Sequence, residues 1–581
     1  MTVSTVNEID LLQAARTEDL VYEQVKQLAV LGKTENSIIN TLRQQGAHLL
    51  IGARGSGKSM LLRRAEIAMD DDFKQDRLLA VYVNFKTSTI LEGVKAGEKN
   101  AFQIWVGAKI LHATYNKLYF LDLINSKDNN DPYHRIFNIS SGENTADFFS
   151  DKIHKLQQLA QATEAEKKDL VGAIGDKFLE QALDTSFVLN TMQEVGKFFK
   201  LKGVVFLFDE AAHTFIPEQQ EVFFEIFKLI HGGEISVKAA VYPTVTSYGR
   251  NFEIGQDAIP VYIDRFEAAG PGRAENRKLF RDIVSKRVGS GKVKKTIFAH
   301  GELLDLCIDL STGNPRAFFH LLNKAIDNGF SERAIMLATS SFVDSELLPY
   351  HNNLAKRLPK YSAHVRIGIE LLRTLIIPEI KAKNSTDKKS GYQSAFFTMP
   401  RDISPNLRLM LDLLCYSGIL VSKGTVKIAG LKTGQRYMVN LSLLMTEKAF
   451  AKPKPIDALS SISLTDYREF SGEDSKMVDF LEKLKTAGAQ CLNCGAEIVQ
   501  SAKFCSNCGS SVSTKSIIGA LLEEPVDALS LSDRLKNRVR PKFAKVGNII
   551  HATRDEIMEI KYIKDARSRI IKNAADEFIS G

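Results

Sequence analysis

The stretch from His48 to Met69, "HLLIGARGSGKSMLLRRAEIAM", decides the fold. Its first four residues read as a buried strand, and "SMLLRRAEIAM" places apolar residues three and four apart, as a helix does. Between them Gly52, Ala53, Arg54, Gly55, Ser56, Gly57, Lys58 and Ser59 fit G-x-x-x-x-G-K-[ST] in the strand–turn–helix setting that motif requires. Glycines let successive backbone N–H groups converge on phosphate oxygens, and the helix start adds a partial positive charge there. In such a turn Lys58 bridges the β- and γ-phosphates and Ser59 ligates Mg²⁺. A glycine-rich turn can precede a helix by chance, but the complete motif in this setting implies bound ATP, with Met60 closing the cradle.

A second element must supply acids. "GVVFLFDEAAHTF" runs through five apolar residues, Val204 to Phe208, and ends in Asp209 and Glu210. A strand ending this way sets Asp209 beside the Mg²⁺ and Glu210 where it polarises a water, which points to hydrolysis. About 150 residues separate the two motifs, room for a helical insertion at about 90–200. "AFQIWVGAKILHATYNKL" and the segment from Ala146 to Lys200 read as helices within it. No chemical motif stands out there.

Next come a helix, "PEQQEVFFEIFKLIHGG", and a strand, "ISVKAAVYPTVTSYGRNF", with Thr244 and Thr246 at its polar end. "DLSTGNPRAFFHLLNKAI" then sets Gly313, Asn314, Pro315 and Arg316 at the start of a helix. This order resembles the AAA+ ATPases, especially the branch of the origin-recognition-type replication initiators, over roughly residues 20 to 450. The resemblance implies that Arg316 is the sensor-2 arginine of a helical lid, touching the γ-phosphate. It implies that Thr244 or Thr246 takes the sensor-1 position. Arg250 is the candidate arginine finger, with Arg265 and Arg273 as competitors, so a homo-oligomer is expected.

After the lid, "SPNLRLMLDLLCYSGILVSKGTVKI" and "QRYMVNLSLLM" read as a helix and two strands joined by a turn. This resembles the winged-helix domain of origin-type ATPases, which can set a helix in a DNA groove. Cys307 and Cys415 fall on apolar helical faces and read as buried thiols. "KPKPIDALSSISLTDYREFSGEDS" from Lys452, rich in Pro, Ser and charge, reads largely as a linker, with a helix to Ala487 after it.

"CLNCGAEIVQSAKFCSNCGS" places Cys491 and Cys494 opposite Cys505 and Cys508, each pair followed by a glycine. Four soft thiolates at this spacing suit tetrahedral Zn²⁺ in a closed, structural site. An iron–sulfur cluster is the minor alternative. The segment is similar to the short zinc ribbons of prokaryotic proteins.

From Asp527 to Gly581 twelve Lys or Arg stand against eight Asp or Glu. The order "LSLSDRLKNRV", "VGNIIHATRDEIMEI", "KYIKDARSRIIKNAADEFI" resembles the C-terminal domain of bacterial RNA polymerase α subunits, a helix–hairpin–helix fold. That resemblance implies DNA-phosphate contact. Tyr562 and Lys564 stand where the family has glycines or small residues, so the contact falls to Lys561, Lys564, Arg567 and Arg569.

The 581 residues call for several domains. No apolar run reaches the roughly 20 residues that span a bilayer. The opening "MTVSTVNEIDLLQAARTEDL" lacks a basic-then-apolar signal pattern, so a cytoplasmic location is expected and no membrane partner. A net charge of +8 is a mild hint of a polyanionic partner.

The expected fold is an α/β P-loop NTPase (AAA+) core with helical lid, winged helix, zinc ribbon and a small all-α helix–hairpin–helix tail. The boundaries are 1–270 for the core, 271–350 for the lid and 351–451 for the winged-helix-like domain. Residues 452–488 form linker and helix, 489–513 the ribbon and 524–581 the tail. The expected function is an ATPase that couples nucleotide state to DNA binding or to remodelling of a DNA-bound assembly. The alternative is a nucleotide-gated sensor or scaffold, such as an antiviral ATPase, that recognises a protein trigger and recruits a separate effector. No nuclease, protease or deaminase signature is present.

Overall fold

The computed structural model describes residues 16–580 apart from 92, 125–131, 141–142, 161, 211–215, 244–245, 265–269, 289–290, 359–360, 387–390, 429–432, 472–473, 487–488, 491–496, 499–503 and 510–520. Five parallel strands form the central sheet: β1 (Ala47–Ile51), β2 (Leu78–Asn84), β3 (Gly203–Asp209), β4 (Ile235–Val241) and β5 (Ile259–Tyr262). They lie in the order β2-β3-β4-β1-β5. The largely apolar strands β1, β3 and β4 are buried along their whole length, as central strands covered on both faces must be. Pro260, which cannot donate to a ladder, falls in the edge strand β5.

Successive residues of β3 serve opposite layers. Val205 and Leu207 meet Ile38, Leu42 and Leu62 from the helices Lys33–Arg43 and α1 (Lys58–Asp76). Val204, Phe206 and Phe208 meet the layer built by α2 (Ala101–Phe120) and the helix Pro217–Ile230. Besides Asp209 at the end of β3, one charged side chain is buried within this sheet, Lys238 of β4. Lys238 is tolerated because its ammonium donates to the Gln44 and Gly46 carbonyls at 2.6 and 2.7 Å, while burial pushes its pKa down to about 7.

The insertion is helical, as its sequence predicts. Its helices are α2, Pro132–Phe137, Thr145–Gln158, Glu164–Ile174, Asp176–Leu183 and Thr185–Phe198. They close around Phe137, whose ring contacts those of Phe148, Phe149, Phe178 and Phe187. At Gly107 of α2 a Cβ would lie 2.2 Å from the Ala182 carbonyl oxygen, so only glycine lets these helices approach so closely. Lys117 of α2 reaches back to Glu66 and Asp70 of α1 at 2.5 and 2.8 Å, anchoring the insertion to the sheet's other layer.

The lid helices, among them Gly270–Arg287, Gly301–Leu310 and α3 (Pro315–Asp327), share one hydrophobic core with the residues that follow them. That core runs from Phe280 through Phe396 to Leu484. Its second sheet contains β6 (Phe396–Pro400), β7 (Leu420–Lys427), β8 (Thr433–Val439) and β9 (Tyr467–Glu469), in the order β9-β6-β8-β7. Helix α4 (Pro405–Tyr416) precedes the antiparallel pair β7–β8, the expected helix and two strands.

The segment from Lys452 departs from its reading as a linker. Residues Pro455–Ser460 are helical, and β9 pairs with β6. Ala458, Leu459, Ile462 and Phe470 are buried, and these four apolar side chains outweigh the Pro and Ser around them. Cys307 and Cys415 are buried, and burial pushes both thiols up.

The tail has its own core of Val526, Leu535, Val539, Val546, Ile549, Ile557 and Ile571. Its helices are Asp533–Val539, Val546–His551, Arg554–Met558 and α5 (Asp565–Ser580). The middle stretch breaks in two because Thr553 and Glu556 form a capping box. Among the described residues no helix is long and apolar enough to cross a membrane.

Candidate nucleotide site

In a parallel sheet the crevice for a ligand opens at the carboxyl ends of the strands. Here β1 ends in the glycine turn, β3 ends in Asp209, and β4, between them, ends beside Tyr242. The turn needs its glycines. Gly55 has φ +76° and Gly57, immediately before α1, has φ +87°, both left-handed.

Lys58 donates to the Gly52 and Ala53 carbonyls at 2.7 and 3.1 Å and stands 3.7 Å over the Tyr242 ring. Burial pushes its ammonium pKa down. Asp209 is buried and accepts hydrogen bonds from Tyr82 Oη at 2.6 Å and from the Glu210 N–H at 3.0 Å, and the Ser59 hydroxyl lies close enough to oppose the rise that burial imposes on its pKa. The Ser59–Asp209 contact joins the two motifs that the sequence separates. Glu210 holds a left-handed backbone, φ 60°. Burial, then Asp209 and Glu18, push its carboxyl pKa up.

Asn314 clasps the lid to the turn. Its Oδ1 accepts from the Arg316 and Ala317 N–H groups at 3.0 and 3.2 Å, capping α3, while Nδ2 donates to the Arg54 carbonyl at 2.7 Å. Arg316 thereby joins Gly55, Gly57, Lys58, Ser59, Met60 and Glu210 in lining one cleft. The cleft's other end is apolar, with Leu28, Ala29, Val30, Leu279, Phe280 and Phe319. There the Arg287 guanidinium lies 4.4 Å over the Phe319 ring.

Such a cleft, polar at one end and apolar at the other, fits a nucleotide. The donor set fits as well, because Arg316, which lines the cleft, has its Nε buried without a hydrogen-bond partner. Ser59 and Asp209 offer the oxygens a Mg²⁺ would take.

The remaining expectations are placed as follows. Thr246 donates to the Tyr242 carbonyl at 2.9 Å and does not line the cleft; Tyr242 does. Thr244 and Arg265 lie outside the described residues. Arg250 is exposed on the segment between β4 and β5, away from this chain's cleft, and Arg273 pairs with Asp309 at 2.5 Å. The Arg54 side chain leaves the turn, lying 3.7 Å over the Tyr350 ring and pairing with Glu577. Arg16, Glu18, Tyr242 and the apolar end are the cleft residues that motif reading does not find.

In the ribbon, Cys505 is buried and Cys508 exposed, on a turn closed by the Gly509 N–H to the Cys505 carbonyl at 2.9 Å. This turn suits two thiolate ligands of a zinc. Cys491 and Cys494 lie outside the described residues. In the tail, Lys561 and Lys564 are exposed around Tyr562, whose φ of 68° is the conformation a glycine would take. Arg567 donates to the Tyr562 carbonyl at 2.8 Å. Arg569 turns inward, pairing with Asp565 and donating to the Asp19 carbonyl at 3.4 Å.

Residues 13–302 match the ORC-CDC6-like family model, and residues 490–512 match a zinc-ribbon domain. A comparison with curated proteins finds no significant match. Among solved structures, the Walker-type ATPase PABY2304 of Pyrococcus abyssi aligns at 15% identity over 76% of this chain and 99% of its own, with a TM-score of 0.34. The Aeropyrum pernix ORC1 protein, solved in complex with DNA, aligns at 13% identity over 76% of this chain and 95% of its own, with a TM-score of 0.29. The Aeropyrum pernix ORC2 protein, in ADPNP–ADP complexes, aligns at 11% identity over 75% and 94%, with a TM-score of 0.30.

Proposed function

We propose that the chain binds and hydrolyses ATP and couples its nucleotide state to DNA or to a DNA-bound assembly. The shared cleft carries the catalytic part, because Lys58 and Ser59 of the glycine turn line it together with Glu210, and the Ser59 hydroxyl stands beside Asp209. The ORC-CDC6-like match over residues 13–302 supports it.

In this reading Gly55, Ser56 and Gly57 offer backbone N–H groups to the phosphates, and Lys58 and Arg316 balance charge at the terminal phosphate. Ser59 and Asp209 would hold Mg²⁺, which when bound neutralises phosphate charge. Glu210, which lines the cleft beside Lys58 and Ser59, orients the attacking water and accepts its proton. Cys491, Cys494, Cys505 and Cys508 would hold a structural Zn²⁺.

The DNA part rests on the exposed basic turn at Lys561 and Lys564, which a phosphate backbone would neutralise.

Lys58→Ala is expected to abolish nucleotide binding. Glu210→Gln is expected to bind ATP yet lose about 10²- to 10⁴-fold in turnover. Turnover at the wild-type rate in Glu210→Gln refutes the catalytic assignment. Duplex DNA should bind in a salt-sensitive way and more weakly to the Lys561→Ala, Lys564→Ala double variant; binding indifferent to salt and to both substitutions refutes the DNA part.

A further inference from the structure

The tail sends one carboxylate to the arginines that border the nucleotide cleft. Glu577, on α5, is buried, and it pairs through Oε2 with Arg16 and through Oε1 with both Arg54 and Arg316. These partners come from the segment before the first helix, from the phosphate turn and from the lid, 561, 523 and 261 residues away. Burial works against this carboxylate, but Arg16, Arg316 and Arg54 together hold its pKa well below the usual range.

Other contacts dock the same helix face. Arg357 donates to the Phe578 carbonyl at 2.7 Å, Lys86 to the Asn573 carbonyl at 3.1 Å, and Asn573 to Asp19 at 2.9 Å. The apolar residues of α5, Ile570, Ile571, Ala574, Ala575, Phe578 and Ile579, belong to the tail's own core. Glu577 can therefore change partners without unpacking the tail.

Three guanidiniums around Glu577, with the Asp19 carboxylate beside Arg16, leave cationic charge to spare. Arg16 and Arg316 also line the cleft shared by Lys58, Ser59 and Glu210. We propose that Arg16, Arg54 and Arg316 form an anion site that Glu577 and the terminal phosphate of a nucleoside triphosphate occupy in turn, so that the triphosphate releases the tail from the ATPase core.

A phosphate brings more charge and more acceptor oxygens than a carboxylate, so it is the stronger partner for a guanidinium. Once Arg316 and Arg16 turn to the phosphate, Glu577 keeps only Arg54, and a buried carboxylate stripped of most of its partners is costly. Its helix must then move toward water. Arg316 is suited to the exchange, its side chain being 32% exposed where that of Glu577 is 10% exposed. A diphosphate lacks the terminal group and leaves the pairing in place. This proposal rests on the ATP reading and names the regulation of that site.

The test uses the full chain with amide hydrogen exchange over Asp565–Ser580, while nucleotide binding is measured in the same samples. A non-hydrolysable ATP analogue with Mg²⁺ should speed exchange there at least tenfold, and ADP should not. Glu577→Gln should show the fast exchange without nucleotide and bind the analogue about tenfold more tightly. Protection of Val546–His551, inside the tail's own core, shows in each case that the tail is still folded.

If the analogue binds and α5 exchange is unchanged, the proposal fails while the ATP reading stands. If Glu577→Gln keeps α5 protected and binds no more tightly, the proposal also fails. If neither wild type nor Glu577→Gln binds the analogue, the ATP reading falls and the proposal with it. Binding by Glu577→Gln alone supports both.

Discussion

Gly55→Ala probes the joint between turn and lid. Gly55 sits at φ +76°, where an alanine costs roughly 1–2 kcal/mol. Its added Cβ would lie 2.6 Å from Asn314 Oδ1 and 3.1 Å from Arg316 Cβ. Asn314 must yield, and losing such a cap costs about 1 kcal/mol more. The two terms sum to about 2–3 kcal/mol, which is roughly a 30- to 150-fold change in an equilibrium constant. If the turn shifts, the loss falls on nucleotide affinity; if it holds its shape, the loss falls on stability. Titration with a fluorescent ATP analogue measures the first, and the urea midpoint of the ATPase core the second. Gly97→Ala is the control, at φ +64° with nothing within 4 Å of its added Cβ, and it should leave affinity unchanged. Gly55→Ala with affinity within threefold and an unmoved midpoint refutes the account of the clasp.

Three further outcomes are expected. Gly107→Ala drives a Cβ against the Ala182 carbonyl and should destabilise the insertion by about 1–3 kcal/mol, read as faster exchange in Asp176–Leu183; unchanged exchange there contradicts the packing described. Cys505→Ser should lose bound zinc, measured by release to a chromogenic chelator, with nucleotide binding intact; zinc retained at the wild-type level shows that Cys505 is not a ligand. His351 is buried against Ser417 and the Val365 carbonyl at 2.8 and 3.1 Å, and burial pushes its pKa from 6.5 down to about 4. As pH falls from 6.5 toward 4 the unfolded chain takes up a proton that the native imidazole refuses, so stability should drop by roughly 3 kcal/mol across that window. His351→Gln should flatten the slope, and an identical slope in the variant removes His351 as its source.

The legible parts of the site are local in sequence. Residues Gly52 to Ser59 carry their own strand, turn and helix signals, and Asp209 and Glu210 announce themselves as acids ending an apolar strand. Tyr242 does not, because an aromatic at a strand end reads as packing, and the hydroxyls after it draw attention to Thr244 and Thr246. Leu28 to Val30 are small apolar residues whose role exists only once the lid is placed over them. Arg16 and Glu577 meet across 561 residues, and no periodicity or spacing encodes such a contact. The segment after Lys452 misleads for another reason: its Pro and Ser content signals an open chain, while Ala458, Leu459, Ile462 and Phe470 fill the groove beside β6.

The unbroken core from Phe280 to Leu484 carries a mechanical implication. With no seam of its own between α3 and the β7–β8 pair, this block moves as one piece or not at all, held to the sheet domain by the Asn314 clasp, by Lys423 on Asp264 and by Tyr416 packed on Tyr242. A tilt of α3 at the phosphate turn would therefore have to be matched by movement of β7 and β8, as at the far end of an oar.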